Sequence, residues 1–166
     1  MARRRRKALP LAALIALAVI GYLARNLADE FSKPKPPAGG AWRVVERVVD
    51  GDTLALDGGE KIRLIGVDTP ESVDPRRPVE RFGKEASAFT RRMAEGQRVR
   101  LEFGDEPRDR YGRTLAFVWL EDGTFLNAEI IRQGYGHAYT RFPFRYADEF
   151  RALEREAREN RRGLWQ

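Results

Sequence analysis

The chain has 166 residues, of which 34% are charged and 42% are hydrophobic, enough for one domain with a proper core. It contains no cysteine, which excludes a disulfide scaffold and thiolate metal sites. The formal charge is +6 at pH 7, but residues 1–41 carry eight Lys/Arg and two Asp/Glu, whereas residues 42–166 carry 23 of each sign. An anion site in the second part must therefore be a local cluster of basic residues.

The N-terminal segment has the pattern of an export or membrane signal. A basic region at residues 1–7 precedes an apolar run at residues 8–24. These 17 residues just reach the length of about 17–25 that an uncleaved anchor needs, and the one small-x-small cleavage site, at residues 16–18, lies inside the run. We expect a single-pass anchor in the inner membrane with the domain outside the cytoplasm. Cleavage would instead make the protein periplasmic or secreted.

Residues 25–41 form a linker rich in proline and glycine, which is typical of a semi-rigid spacer with a flexible joint. We place the folded domain at residues 42–166. Its first part is rich in β-branched and apolar residues and is interrupted by two turn signals, Asp50-Gly51-Asp52 and Asp57-Gly58-Gly59. This pattern predicts a three-stranded meander with strands at residues 42–49, 53–56 and 61–67.

The rest of the domain alternates between helical and strand periodicity. A polar loop at residues 72–81 and a charged turn at 104–112 separate these elements. We predict helices at residues 83–95, 127–134 and 147–160, the second capped by Asn127, and strands at residues 98–103 and 114–120. The fold class is α+β, mainly β with α: a five-stranded OB-fold barrel with three helices, one of them between strands three and four.

The strand predicted at residues 61–67 ends in a group of polar residues. Arg63 lies on a face that it would share with Ile65 and Val67, and such an arginine needs an anionic partner or ligand. Asp68 and Glu71 follow directly, because a proline between them stops the strand. Taken alone, the stretch is equally consistent with an edge strand that carries a solvated arginine and ends in an aspartate turn.

Several motifs together resemble the thermonuclease, or staphylococcal nuclease-like, family. They occur in the family's order and with near-family spacing over essentially the whole domain. The motifs are Val49-Asp50-Gly51-Asp52-Thr53, Arg63 to Glu71, Glu85 to Thr90, Asp109 to Ala116, and Arg132-Gln133-Gly134.

The resemblance implies an OB-fold barrel and calcium-dependent hydrolysis of DNA and RNA phosphodiesters, as an endonuclease or exonuclease that leaves 3′-phosphate products. Its metal ligands correspond to Asp52, Asp68 and the carbonyl of Thr69, which are hard oxygen ligands suited to Ca²⁺. Its catalytic residues correspond to Arg63, Glu71 and Arg113. The two arginines would hold phosphate oxygens, and the glutamate would act as the base.

Substrate contacts are implied at Arg110 and Tyr111, which offer charge and stacking and so favour single-stranded nucleic acid. The family has base-stacking tyrosines where residues 135–146 are hard to align, and Tyr139 is our candidate there. The aromatic segment 135–146 is also consistent with a cover for the end of the barrel. No protein partner is implied, and we expect a monomer.

Three alternatives stay open at this stage. The domain is also consistent with a non-catalytic OB-fold module that binds nucleic acid or protein at the membrane, or with an envelope-anchored adaptor. Arg113 is also consistent with a structural role, as a turn arginine that pairs with Asp109. His137, the single histidine, lies outside every motif, and we interpret it as a local hydrogen-bonding residue rather than a base.

Overall fold

The structure is a computed structural model, and it describes residues 15–22, 34–72 and 80–166. The chain divides into two compact units, Met1–Pro34 and Lys35–Gln166. Residues 15–22 of the first unit are helical (α1) and exposed. Within the described ranges, no helix has both the length and the apolar character that crossing a membrane requires. Much of the predicted apolar run 8–24 lies outside those ranges, so its role as an anchor stays a prediction.

The second unit is built on a closed barrel of five strands in the order β1-β2-β3-β6-β5. All neighbouring strands are antiparallel except β3 and β6, which are parallel. The two remaining strands, β4 and β7, are short and pair with each other. In chain order the strands are β1 (Arg43–Asp50), β2 (Thr53–Leu56), β3 (Lys61–Leu64), β4 (Val67–Asp68), β5 (Arg98–Arg108), β6 (Thr114–Leu120) and β7 (His137–Ala138). The predicted five-stranded OB-fold barrel is confirmed.

In the described part of this unit, three helices and a final 3-10 turn accompany the strands. They are α2 (Gly83–Ala94), α3 (Leu126–Arg132), α4 (Ala147–Glu159) and the 3-10 turn Gly163–Trp165. Helix α2 packs on β1, and α3 packs on α4 and β6. The three helices predicted from periodicity are present. Of the loop predicted at residues 72–81, positions 73–79 lie outside the described part of the chain.

An aromatic cluster closes one end of the barrel. The rings of Trp119 and Phe125 stack with their centroids 4.2 Å apart, and Phe150 is fully buried beside Phe125. The Tyr146 hydroxyl donates to the carboxylate of Glu102, and burial raises the pKa of Tyr146 to about 12. Part of the aromatic segment 135–146 therefore does cover the barrel, which was one of its two interpretations.

The strand predicted at residues 61–67 is broken, so the prediction that Arg63, Ile65 and Val67 share one strand face is wrong. Strand β3 ends at Leu64, and Gly66 turns the chain with a φ of 74°. A Cβ on Gly66 would lie 2.5 Å from the ring of Phe144, so only glycine fits both the φ angle and the space. The turn redirects Val67 and Asp68 into pairing with β7.

Strand β5 is longer than predicted. It continues to Arg108, through residues assigned from the sequence to a charged turn at 104–112. A register shift between Phe103 and Arg108 interrupts its pairing with β6, so these residues form an irregular ribbon. The strong charge of the segment reflects this exposed ribbon rather than a loop.

Asn127 does not cap α3, which corrects the prediction from sequence. The helix begins at Leu126, and Asn127 is fully buried inside it. Its Oδ1 accepts the N–H of Val118 at 2.9 Å, and its Nδ2 donates to the carbonyls of Ile65 at 2.9 Å and Ala116 at 3.5 Å. One side chain thus joins α3, β6 and the turn after β3.

We expect Asn127→Ala to lower the free energy of unfolding by about 2–4 kcal/mol, because it leaves the buried N–H of Val118 and the carbonyl of Ile65 without this partner. Urea denaturation measures the change. The control is Asn160→Ala, which removes an exposed hydrogen bond to the Glu156 carbonyl and should cost less than about 1 kcal/mol. Equal losses in the two variants would contradict the role given to Asn127.

Candidate active site

The predicted catalytic and metal-binding residues come from adjacent parts of the barrel. Asp52 lies in the turn that leads into β2, and Arg63 lies on β3, where it is the cross-strand partner of Thr53. Asp68 ends β4, and Arg113 directly precedes β6, the parallel neighbour of β3. The strand order therefore collects residues that lie up to 61 positions apart in the sequence.

Arg63 lies at the centre of this group, and its side chain is 16% exposed. Its Nη1 donates to the carbonyl of Leu64 at 3.1 Å and to that of Val67 at 2.6 Å. Its Nη2 lies 3.1 Å from Asp52 Oδ2 and 3.5 Å from Asp68 Oδ1. One nitrogen of the planar guanidinium thus binds the turn after β3, and the other binds two carboxylates.

Asp52 and Thr69 are held against each other. Asp52 Oδ2 accepts the N–H of Thr69 at 3.2 Å, and Asp52 Oδ1 accepts the hydroxyl of Thr53 at 2.9 Å. The close approach depends on Gly51, where an added Cβ would lie 2.6 Å from the Thr69 hydroxyl oxygen. The Gly51 carbonyl in turn accepts the Thr90 hydroxyl of α2 at 2.7 Å, which fixes this turn.

Asp68 differs from Asp52 in its exposure. The Asp68 side chain is 54% exposed, whereas Asp52 is buried. Partial burial raises the pKa of Asp68, and the neighbouring Arg63 charge opposes that rise. Among the described residues, no group of three or more His, Cys, Asp or Glu side chains is placed to hold a metal ion. The arrangement here offers two carboxylates and the main chain of Thr69.

Glu71 lies beside a second aspartate, Asp50. Its Oε1 accepts the N–H of Ser72 at 3.0 Å, and its own N–H donates to the Glu80 carboxylate at 3.1 Å. Asp50 Oδ1 accepts the Ser72 hydroxyl and the N–H of Gly51. Burial raises the pKa of Asp50 to about 6, and a hydrogen bond with Glu71 adds to the rise. Protonated Asp50 can therefore donate to the carboxylate of Glu71.

Arg113 is oriented by Asp109, so the pairing weighed from the sequence is present. Its Nε and Nη2 both lie 2.7 Å from Asp109 Oδ2, and its Nη1 donates to the Thr53 hydroxyl at 3.2 Å. Burial alone would raise the pKa of Asp109, but hydrogen bonds from Arg113 and from the N–H of Tyr111 hold it below its ordinary value. Because Thr53 also bonds Asp52, Arg113 is joined to the other site residues.

The predicted substrate-binding residues lie in two different parts of the domain. Arg110 and Tyr111 lie on the turn before Arg113, with the guanidinium carbons of Arg110 and Arg113 4.9 Å and 5.5 Å from the Tyr111 ring centroid. Tyr111 is 69% exposed and available for stacking. Tyr139 follows β7, where its N–H donates to the Gly66 carbonyl, and its ring centroid lies 6.3 Å from that of Phe142.

His137 makes local contacts, as interpreted from the sequence. Its Nδ1 lies 3.2 Å from Glu154 Oε1, and its ring packs edge-on against Trp165. Its backbone pairs with that of Asp68, so the histidine supports the strand that carries this carboxylate.

Sequence reasoning did not assign site roles to Asp50 or Thr53, and it weighed Asp109 only as the partner of Arg113 in a turn. Each of them holds a predicted site residue in place: Asp50 bonds Glu71, Thr53 bridges Asp52 and Arg113, and Asp109 orients Arg113. The sequence signal that could have identified these three residues was their position, since all of them lie inside the motifs that carry the family resemblance. The contacts of Asp50 with Ser72 and of Thr53 with Arg113 connect residues distant in sequence and are not readable from spacing, whereas the pairing of Asp109 with Arg113, four residues apart, was.

Comparison with known proteins agrees with this geometry. Residues 61–166 match the family described as staphylococcal nuclease homologue. The chain is 41% identical to the thermonuclease of Staphylococcus intermedius over 159 residues, which is 92% of each chain, and 42% identical to that of Staphylococcus hyicus over 125 residues, 73% of each. It is also 34% identical to endonuclease YhcR of Bacillus subtilis, covering 80% of this chain but 12% of YhcR. The chain belongs to the staphylococcal nuclease family.

Proposed function

We propose that this protein is a nuclease that hydrolyses phosphodiester bonds of DNA and RNA with Ca²⁺ and leaves 3′-phosphate products. The observation that carries the proposal is the Arg63 fork, which lies between the carboxylates of Asp52 and Asp68. Arg113 is joined to the same network through Thr53. Two arginines joined in one polar network, with carboxylates beside them, suit a phosphodiester whose charge increases during attack.

The donor set fits calcium. Asp52, Asp68 and the carbonyl of Thr69 supply only hard oxygen atoms, and Ca²⁺ accepts several waters beside such ligands. The two carboxylates of Asp52 and Asp68 outnumber the one positive charge of Arg63, so the group keeps a net negative charge that a cation would neutralise. When bound, calcium would supply Lewis-acid polarisation of a phosphate oxygen.

The arginines would bind and orient the phosphate. Carboxylates hold both guanidinium groups, Asp52 and Asp68 that of Arg63 and Asp109 that of Arg113, and a bound phosphate would share or replace these contacts. The extra charge of a five-coordinate phosphorus would strengthen these hydrogen bonds, so they would stabilise the transition state more than the ground state.

Glu71 would accept the proton of the attacking water. The N–H of Ser72 donates to Glu71 Oε1 at 3.0 Å and orients its carboxyl group. A carboxylate within reach of the attacking water is a suitable general base.

The substrate would be single-stranded nucleic acid, since the exposed ring of Tyr111 and the charge of Arg110 suit an unpaired base and its phosphate. We further propose that the monomeric domain acts outside the cytoplasm, tethered by residues 8–24. The basic block at residues 1–7 supports this orientation.

The basic test is release of acid-soluble nucleotides from denatured DNA, with calcium and with a chelator. Calcium-dependent release supports the nuclease, whereas binding without release would favour the non-catalytic module. End-group analysis of the products would decide between 3′- and 5′-phosphates.

We expect Asp68→Ala to raise the calcium concentration for half-maximal activity by about tenfold or more, since losing even an outer-shell partner of a metal costs about 10–100-fold. Asp68 is exposed, so the variant should fold normally. A calcium titration of activity measures the shift, and Asp57→Ala in the β2–β3 hairpin is the control. An unchanged titration curve would remove Asp68 from the metal site. Asp52→Ala should weaken calcium binding further. It should also lower the stability of the domain, because Asp52 accepts hydrogen bonds from Thr53 and Thr69.

We expect Arg63→Lys and Arg113→Lys each to lower turnover on single-stranded DNA by about 10²–10³-fold at saturating Ca²⁺. Lysine keeps the charge but loses the fork that binds two phosphate oxygens at once. Circular dichroism confirms folding, and Arg98→Lys, an exposed arginine paired with Glu121, is the control. Folded variants within about threefold of the parent would exclude bidentate binding.

The orienting role of Asp109 predicts non-additive kinetics. Asp109→Asn should lower turnover. Arg113→Lys should then lower turnover by a clearly smaller factor in the Asp109→Asn background than in the parent, because the guanidinium of residue 113 is no longer oriented by the carboxylate. A double-mutant cycle on kcat measures the coupling. Losses that simply multiply would show that Asp109 does not act through Arg113.

A further inference from the structure

Glu80 makes two contacts with the backbone of Glu71, the residue proposed as the base. Its carboxylate accepts the N–H of Glu71 at 3.1 Å, and its own N–H donates to the carbonyl of Glu71 at 2.9 Å. Glu80 lies outside the motifs that carry the family resemblance, and it takes no part in the chemistry proposed for the site. We propose that Glu80 is a positioning residue, which fixes the backbone of Glu71 and so places the Glu71 carboxylate for proton transfer.

The two bonds hold Glu71 on both sides of its Cα atom. Its N–H and its carbonyl flank the carbon that carries the side chain, so binding both groups limits rotation about φ and ψ. The direction in which the side chain leaves the backbone is fixed as a result. At the other end of the side chain, the N–H of Ser72 donates to Oε1 at 3.0 Å. Glu71 is therefore held at its backbone and at its carboxylate.

The start of α2 is shaped to bring Glu80 this close. The N–H of Gly83 donates to the Glu80 carbonyl at 3.0 Å, which closes a turn over residues 80–83. A Cβ on Gly83 would lie 2.6 Å from the carbonyl oxygen of Glu71 and 3.1 Å from that of Pro70, so this approach requires glycine. The turn thus packs directly on the backbone that it binds.

The same turn carries backbone strain. Phe82 has a φ of 73°, a left-handed conformation that is unfavourable for a residue with a large side chain. Its ring stacks on Tyr135 with the centroids 5.4 Å apart, and Tyr135 stacks on Phe89 of α2 at 4.1 Å. Strain that packing maintains is typical of segments fixed for function. The aromatic stack therefore holds the turn in the conformation that presents Glu80 to Glu71.

The hydrogen bond explains the position of Glu80 better than its charge does. Burial raises the pKa of Asp68, and the negative charges of Asp52 and Glu80 add to that rise, so the Glu80 carboxylate is felt at the site. Because a phosphodiester is an anion, a further negative charge beside the site opposes its binding. A neutral acceptor at position 80 would bind the Glu71 N–H without that repulsion.

The inference rests on the proposed function, because it concerns the placement of the base. The test measures kcat and KM of the full-length chain on single-stranded DNA at saturating Ca²⁺ for Glu80→Ala and Glu80→Gln. Glu80 is exposed, so both variants should fold, and circular dichroism checks this. The matched control is Glu95→Ala, at the other end of α2, which removes the same kind of bond, from the N–H of Val48 to Glu95 Oε2 at 3.0 Å.

We expect Glu80→Ala to lower kcat by about tenfold or more and to change KM by less than about twofold, since a small misplacement of a reacting group costs up to about 10²-fold. Glu80→Gln should keep kcat within about threefold of the parent, because its amide oxygen still accepts the Glu71 N–H. Glu95→Ala should leave kcat unchanged. In a Glu71→Gln background, Glu80→Ala should lower the residual kcat by less than about twofold, because no base is left to place.

Hydrogen exchange at the Glu71 amide, followed by NMR, measures the bond itself and needs no activity. Exchange should be faster than in the parent for Glu80→Ala and unchanged for Glu80→Gln. Unchanged exchange in Glu80→Ala would show that the carboxylate does not hold the Glu71 backbone, which would overturn the inference.

The kinetic results can also overturn it while leaving the nuclease intact. They would do so if Glu80→Ala kept the parent's kcat, if Glu80→Gln or Glu95→Ala lost as much as Glu80→Ala, or if the loss were undiminished in the Glu71→Gln background. A parent protein that releases no nucleotides with calcium would instead overturn the proposed function, and the role of Glu80 with it.

Discussion

The guanidinium of Arg63 is the group on which the site depends. A cation that is 16% exposed needs close partners, and this one has four: the carbonyls of Leu64 and Val67 and the carboxylates of Asp52 and Asp68. The same contacts that neutralise the arginine also place the two carboxylates on one side of the barrel. The charges and the backbone around them therefore stabilise one another.

This arrangement requires the chain to turn between β3 and β4. The two carbonyls can face Arg63 only because Gly66, at positive φ, reverses the direction of the chain. The turn is fastened from two sides, by Asn127 of α3 through the Ile65 carbonyl and by β7, which pairs with Val67 and Asp68. A buried helix residue and a short strand far along the sequence thus determine where the candidate metal ligands lie.

These dependencies explain which features the sequence could predict. The barrel strands have clear period-2 or continuous apolar patterns, and local patterns of this kind predicted all five. The break at Gly66 lies in an apolar run and is decided by packing against Phe144, which has no local signal. Asn127 has the residue type of a helix cap, but three buried backbone partners override that preference. Asp50 looked like an ordinary turn residue because its partners, Glu71 and Ser72, are distant in sequence.

The balance of charge suggests how such a domain would hold a polyanion. Four carboxylates, those of Asp50, Asp52, Asp68 and Glu71, lie in or beside the candidate site, and a domain that is neutral as a whole provides no general field to offset them. Attraction must come from arginines and lysines at defined positions. Here the barrel supplies Arg63 on β3 and Arg113 before β6, and the turn between β5 and β6 adds Arg110 beside the exposed ring of Tyr111. The site would therefore hold a phosphate through a few cations at defined positions rather than through a basic surface.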